Sequence, residues 1–181
     1  MATVHVALLR GINVARSKRV GMAELRELVE DLGHADVKTL LNSGNLVFTS
    51  KKGASSGIAD QMEKAIATAL GVTTRATVLT AQELDELIAA NPLTDRADDP
   101  SRLLAAVLRE PKDRSQVEPL MAKDWGNEAL ALGPRAAYLW CPDGVLGGKL
   151  FETVDRLLGD RVTSRNWSTL LKLQQLAREQ R

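Results

Sequence analysis

The 181-residue chain has few of the side chains that announce chemistry on their own. Cys141 is its one cysteine, so no intramolecular disulfide can form and no thiol cluster can hold a metal. There are two histidines, His5 and His34, at a spacing that suggests neither a metal site nor a catalytic triad. Aromatic residues make up 3%, which leaves few platforms for stacking bases. The formal net charge is +1, so no whole-protein attraction to nucleic acid or a membrane surface is expected, and any basic site must be local. No apolar run approaches the roughly 18 residues of a membrane span. Residues 1–11 lack a cationic region followed by a long apolar one, so they read as a first strand rather than a secretory signal. A cytoplasmic protein is expected.

Hydrophobic residues are 44% and charged residues 26%, ordinary values for a globular chain of a length that can bury a core without staples. Val/Leu-rich residues 3–9 predict a strand. Residues 22–32 place Leu25, Leu28, Val29 and Leu32 at helical spacing, with Gly33 as the stop signal. Strands are expected at 37–41, 46–49 and 73–79, with a second helix over 58–70. The resulting β-α-β-β-α-β order predicts a ferredoxin-like half over residues 1–79. Thr80 and Glu83 form a capping-box pattern that opens a helix, followed by the Pro- and Asp-rich stretch 91–100, so 80–100 reads as helix and linker.

Residues 101–181 read as a second α+β half. They comprise a covered strand (RLLAAVLRE), a helical segment at 112–121, a hairpin turning at Gly133-Pro134, a helix over 145–158, and a closing helix with Trp167, Leu170, Leu171, Gln174 and Ala177 on one side. The fold class expected is therefore α+β: two ferredoxin-like halves with antiparallel sheets, closed by a C-terminal helix.

Three polar-turn motifs stand at the ends of expected elements. In RGINVARSKR, a glycine that turns the chain after a strand precedes Arg16, Lys18 and Arg19, a loop able to present N–H groups and cations to an anion. It is neither a phosphate-binding P-loop nor a dinucleotide fingerprint. NSGN has the composition of a hairpin turn. In TSRNW, Thr163 or Ser164 is expected to cap the last helix, with Arg165 in its electropositive first turn. The plain alternatives are solvated cations, turn chemistry and a core tryptophan. Ser43 has no adjacent base. Asp98 and Asp99 read as solvated linker acids, and Cys141 as a small buried apolar residue.

LLRGINVARSKRVGMAELRELVEDLG followed by VKTLLNSGNLVF, and the closing VTSRNWSTLLKL, resemble motifs of the DUF1697 family of small bacterial proteins; NPLTDRADDPSRLLAAVL also fits. The resemblance covers essentially the whole chain. Arg10 to Val14, Asn42 to Asn45, and Thr163 with Arg165 to Trp167 match the three motifs. The chain departs from the family where Ala15, Arg16 and Ser17 replace the usual Gly-Gly-Lys, and where Gly21 replaces a proline. The resemblance implies two ferredoxin-like halves and brings no established activity, catalytic residue or cofactor.

The reading that joins the motifs is an anionic small molecule, a nucleotide or phosphorylated metabolite, bound between the two halves. Its residues are Arg10, Gly11, Asn13, Lys18, Arg19, Asn42, Ser43, Gly44, Asn45, Thr163, Arg165 and Asn166. Arg10 and Arg165 would supply charge-assisted hydrogen bonds, Gly11 and Gly44 the tight turns, and Asn13 and Asn166 oriented polar edges. The alternatives are a module that grips nucleic-acid backbone phosphates and a protein-interaction or oligomerisation scaffold. No metal site, catalytic residue or cofactor is assigned.

Overall fold

The alternation that predicts the first strand is realised as β1 (Thr3–Leu9), buried from Val4 onward, in a computed structural model that describes residues 1–181 apart from Arg16 and Ala97. The first half continues through α1 (Met22–Asp31), β2 (Ala35–Leu40), β3 (Asn45–Ser50), α2 (Ser55–Leu70), β4 (Ala76–Thr80) and α3 (Ala81–Ala89). The second half has β5 (Leu103–Leu108), α4 (Arg114–Val117) between 3₁₀ turns, β6 (Ala129–Leu132), β7 (Ala136–Trp140), α5 (Lys149–Leu158), β8 (Val162–Asn166) and α6 (Trp167–Glu179).

Two compact units result: Met1–Leu84 with Lys172–Arg181, and Asp85–Leu171. Each holds a four-stranded antiparallel sheet, ordered β2-β3-β1-β4 in the first and β6-β7-β5-β8 in the second. Both orders are those of the ferredoxin-like unit, so the expected α+β class of two such halves is what the chain forms. In the first unit Leu25, Val29, Ile58, Met62 and Ile66 of the helices pack on Ala7, Leu9, Leu46 and Phe48 of the sheet. In the second, Val117, Leu150, Val154 and Leu158 pack on Ala106, Leu108, Ala137 and Leu139.

The halves also repeat in detail. Leu9 N–H donates to the Gly44 carbonyl at 2.8 Å and Leu108 N–H to that of Arg135 at 2.9 Å. One residue on, Arg10 N–H donates to Arg75 and Arg109 N–H to Arg161, both at 2.9 Å. Each half thus fastens the exit of its first strand to the same two turns, a likeness that the sequence shows only as ALLRG against AVLRE.

Several element ends differ from expectation. β4 begins at Ala76, later than expected: Gly71 holds φ 65°, and Thr74 Oγ1 bonds the Arg10 carbonyl at 2.8 Å. α2 starts at Ser55, and α5 starts at Lys149 because Gly144 and Gly147 hold φ of 99° and 84°. Residues 111–122 break into short helical turns around prolines at 111 and 119. Leu171 faces solvent at 42% exposure, and Leu173 takes the buried place instead. The Thr80–Glu83 capping box is present: Thr80 N–H donates to Glu83 Oε2 at 2.7 Å and Glu83 N–H to Thr80 Oγ1 at 3.1 Å. Leu32 caps α1, and Gly33 follows with φ 90°, the left-handed stop that the sequence suggests.

Candidate functional site

The register of β1 on β3 sets Leu8 opposite Asn45, so the exit of β1 and the β2–β3 turn share one end of the first sheet. Two of the three polar-turn motifs therefore meet there. Gly11 and Gly44 hold φ of 72° and 83°, and two non-glycine residues join them in the left-handed region, Asn13 at 57° and Leu41 at 58°.

Asn13 binds the corner together. Its Oδ1 accepts Val20 N–H at 2.7 Å, and its Nδ2 donates to the Val20 carbonyl at 3.0 Å and the Asn42 carbonyl at 2.8 Å. Both amide hydrogens are thus committed to backbone. Buried Asn45 acts similarly inside the turn, donating to Leu40 O and Ser43 Oγ, each at 2.9 Å. Asn42 and Ser43 are exposed at the tip.

The basic residues divide by task. Lys18 Nζ donates to the Leu70 carbonyl at 2.8 Å, a cation at the electronegative end of α2. Arg19 Nη1 donates to the Asn13 carbonyl at 3.2 Å. Arg10 is half-buried, and its backbone is held on both sides, N–H by Arg75 O and carbonyl by Thr74 Oγ1. Arg16 lies outside the described residues. Thr74 and Arg75 are corner residues that nothing in the sequence singles out, because their partner lies far away along the chain.

The third motif belongs to the second unit. Thr163 is buried in β8 opposite Val107, and Arg165 lies opposite Ala105. Arg165 is therefore a strand residue rather than part of the first turn of α6. Burial pulls its guanidinium down to about 10, and its Nη1 donates to the Ser164 carbonyl at 2.9 Å. The cap of α6 is neither Thr163 nor Ser164 but Asn166, whose Oδ1 accepts both the Thr169 N–H and hydroxyl at 2.9 Å. Asn166→Ala is expected to cost about 1 kcal/mol by urea unfolding, and Asn166→Asp or Asn166→Ser much less, since these keep a capping oxygen. Trp167 is core, edge-on to Tyr138 with centroids 6.3 Å apart.

Neither histidine bonds Ser43: His5 Nδ1 meets Thr3 O at 3.0 Å, and the His34 nitrogens have no hydrogen-bond partner. The buried Cys141 thiol is pushed up to about 12 by burial, then by Glu128, which makes it a poor nucleophile. Among the described residues no group of three or more His, Cys, Asp or Glu could hold a metal ion, and no helix is long and apolar enough to cross a membrane.

A structure of the conserved bacterial protein SP0830 from Streptococcus pneumoniae superposes with a TM-score of 0.80 at 24% identity, covering 98% of this chain and 99% of that one. That likeness shows the fold. None of the curated proteins matches. The model of a family described as a protein of unknown function, DUF1697, matches residues 2–138; this span includes the first two motifs and ends before the third. The chain belongs to the DUF1697 family.

Proposed function

We propose that the chain binds an anionic small molecule, a nucleotide or phosphorylated metabolite, at the β1-exit corner of its first unit. The observation that carries this reading is the Asn13 clamp, which ties the basic loop to the β2–β3 turn through Asn42. Around it stand Arg10 on a fixed backbone, Arg19, the exposed Ser43 and two glycines at positive φ. Charge-assisted bonds from Arg10 and Arg19 would hold the anion, and the tip residues would meet the rest of the ligand. Arg165, Thr163 and Asn166 serve the β8–α6 junction in this reading. Lys18 and Asn45 position the loops. Binding is proposed and catalysis is not.

A thermal-shift panel with inorganic phosphate, nucleotides and sugar phosphates tests it. A ligand present at a hundred times its Kd adds about 2.7 kcal/mol, a rise of roughly 5–10 °C for a chain of this size. Arg10→Ala is expected to abolish the rise and Arg165→Ala to retain it. No rise with any anion sinks the reading. A rise only with oligonucleotides, erased by salt, moves it to nucleic-acid backbone binding. That alternative has no stacking surface on β3, because Phe48 is fully buried against the histidine rings. A second reading, a protein partner, is favoured by Val14 and Leu41, exposed at 57% and 54% on the two clamped loops. Concentration-dependent mass by light scattering without an anion response would support it.

A further inference from the structure

His34 follows the α1 stop signal and points into the first unit, where it is 5% exposed. Its ring lies 4.8 Å from that of Phe48, and His5 stacks on the same phenylalanine at 5.6 Å. Neither nitrogen of His34 has a hydrogen-bond partner. Such groups are rare in a folded interior and call for a reason.

The surroundings are unsettled in the same way. Thr49, opposite Ala35 in the sheet, has a buried Oγ1 without a partner. Gln180 donates through Nε2 to the Asp36 carbonyl at 2.9 Å, yet its own Oε1 is buried and unpartnered. Unsatisfied buried atoms thus lie on both faces of the sheet here: the His34 ring on the Phe48 side and Thr49 Oγ1 on the other. The backbone there is irregular too. Gly33 has φ 90° and Asp36, which is not a glycine, has φ 53°. The pairing of β2 with β3 shifts register between Ala35 and Lys38, and β2 is an edge strand. This irregular edge segment holds a titratable side chain inward.

We propose that the α1–β2 junction is an acid-released latch: when His34 takes a proton its imidazole leaves the core, the irregular start of β2 opens, and the Gln180 tether to Asp36 is lost.

The charges facing His34 favour this direction. Lys52, from the β3–α2 loop, bonds the Leu32 carbonyl at the end of α1 and repels a proton on His34. His5, from β1, does the same when charged, and Glu83 of α3 acts on His5 in the opposite sense. Asp36 and Lys38, on the same strand, are exposed. Burial, then Lys52, then His5 hold the His34 pKa below its ordinary 6.5. The closed form therefore binds fewer protons than the open form. Closure is complete above about pH 6.5 and weakens as pH falls toward the depressed value. Release frees the end of the chain from β2 and uncovers Phe48, so acid would switch an apolar surface on.

Amide hydrogen exchange on the full chain at pH 7.5 and 5.5, expressed as protection factors, tests the latch. Opening of residues 33–38 is expected to rise at the lower pH, by at most about tenfold, since an open-state histidine of ordinary pKa gains no more than about one decade per pH unit below it. Protection in β5 of the second unit should hold. His34→Phe, which keeps an apolar ring in place, should remove the pH response at 33–38, whereas His5→Phe should keep it. If His34→Phe does not fold, the wild-type His34 ring followed by NMR decides: its midpoint should lie below that of a free histidine and track the amide opening. An unchanged junction, a uniform loss over both units, a response that survives His34→Phe, or an ordinary His34 midpoint would overturn the proposal.

Discussion

Gly44→Ala is expected to destabilise the chain by about 3 kcal/mol, among the largest losses any single added methyl group would cause here. Two costs add. Gly44 holds φ 83°, a region where a side chain costs about 1–2 kcal/mol. A Cβ built there would also stand 2.8 Å from Leu9 Cβ, closer than real contacts allow. The turn cannot simply swing away, because the Gly44 carbonyl accepts the Leu9 N–H at 2.8 Å. Gly11→Ala is the control: its φ is 72°, but nothing lies within 4 Å of its Cβ position, so it should lose about 1 kcal/mol from the backbone alone. Thermal unfolding should separate the two, with roughly 6–12 °C lost for the first and 2–4 °C for the second. Leu9→Ala should not rescue Gly44→Ala, because the closest clash is with Leu9 Cβ, which alanine retains. Rescue would show that the flexible end of Leu9 sets the limit. Since Gly44 fastens the β1 exit, Gly44→Ala should also lose any anion response of the corner.

Features decided by near neighbours were legible in the sequence. The apolar spacing of α1, the Thr80–Glu83 box, the Gly33 stop and the left-handed Gly44 turn all follow from residues within a few positions of each other. Strand order followed as well, because the βαββαβ sequence of elements leaves few ways to build the sheet. What escaped depended on partners far along the chain. β4 starts late, just after Thr74 reaches back to Arg10. Lys18 and Arg19 have the look of an anion loop, yet part of their charge is spent on the α2 terminus and the Asn13 carbonyl. Asn13 suggested a ligand contact, and only the fold reveals that Val20 and Asn42 take both of its amide hydrogens. In TSRNW, Thr163 and Ser164 were the expected caps, as their hydroxyls follow the usual preference. Extending β8 to Asn166 moved the helix start and handed the cap to Asn166. His34 was legible only as a histidine beyond a helix, since its burial depends on Phe48 in the neighbouring strand.

Gly133→Ala should be nearly as costly, about 2–4 kcal/mol, for a reason that is steric alone. Its Cβ would lie 2.7 Å from Tyr138 Oη and 2.8 Å from Cε2. Both partners are pinned. Gly133 N–H donates to Ala136 O at 2.8 Å to close the β6–β7 turn, and its carbonyl accepts Arg114 Nε at 3.1 Å. Tyr138 is fully buried, and its hydroxyl donates to the Leu87 carbonyl at 2.6 Å. Burial pushes that phenol up to about 12, so it keeps its proton and its donor role throughout the working pH range. Tyr138→Phe should cost about 1–2 kcal/mol for the lost bond and the stranded carbonyl. The double variant discriminates between accounts. Removing Oη erases the closest contact but leaves Cε2, so Gly133→Ala with Tyr138→Phe should lose about 1 kcal/mol less than the two single losses combined. Urea unfolding of the four proteins measures that coupling. Strict additivity would mean that the added methyl group never meets the ring, and that the turn at Gly133 yields instead.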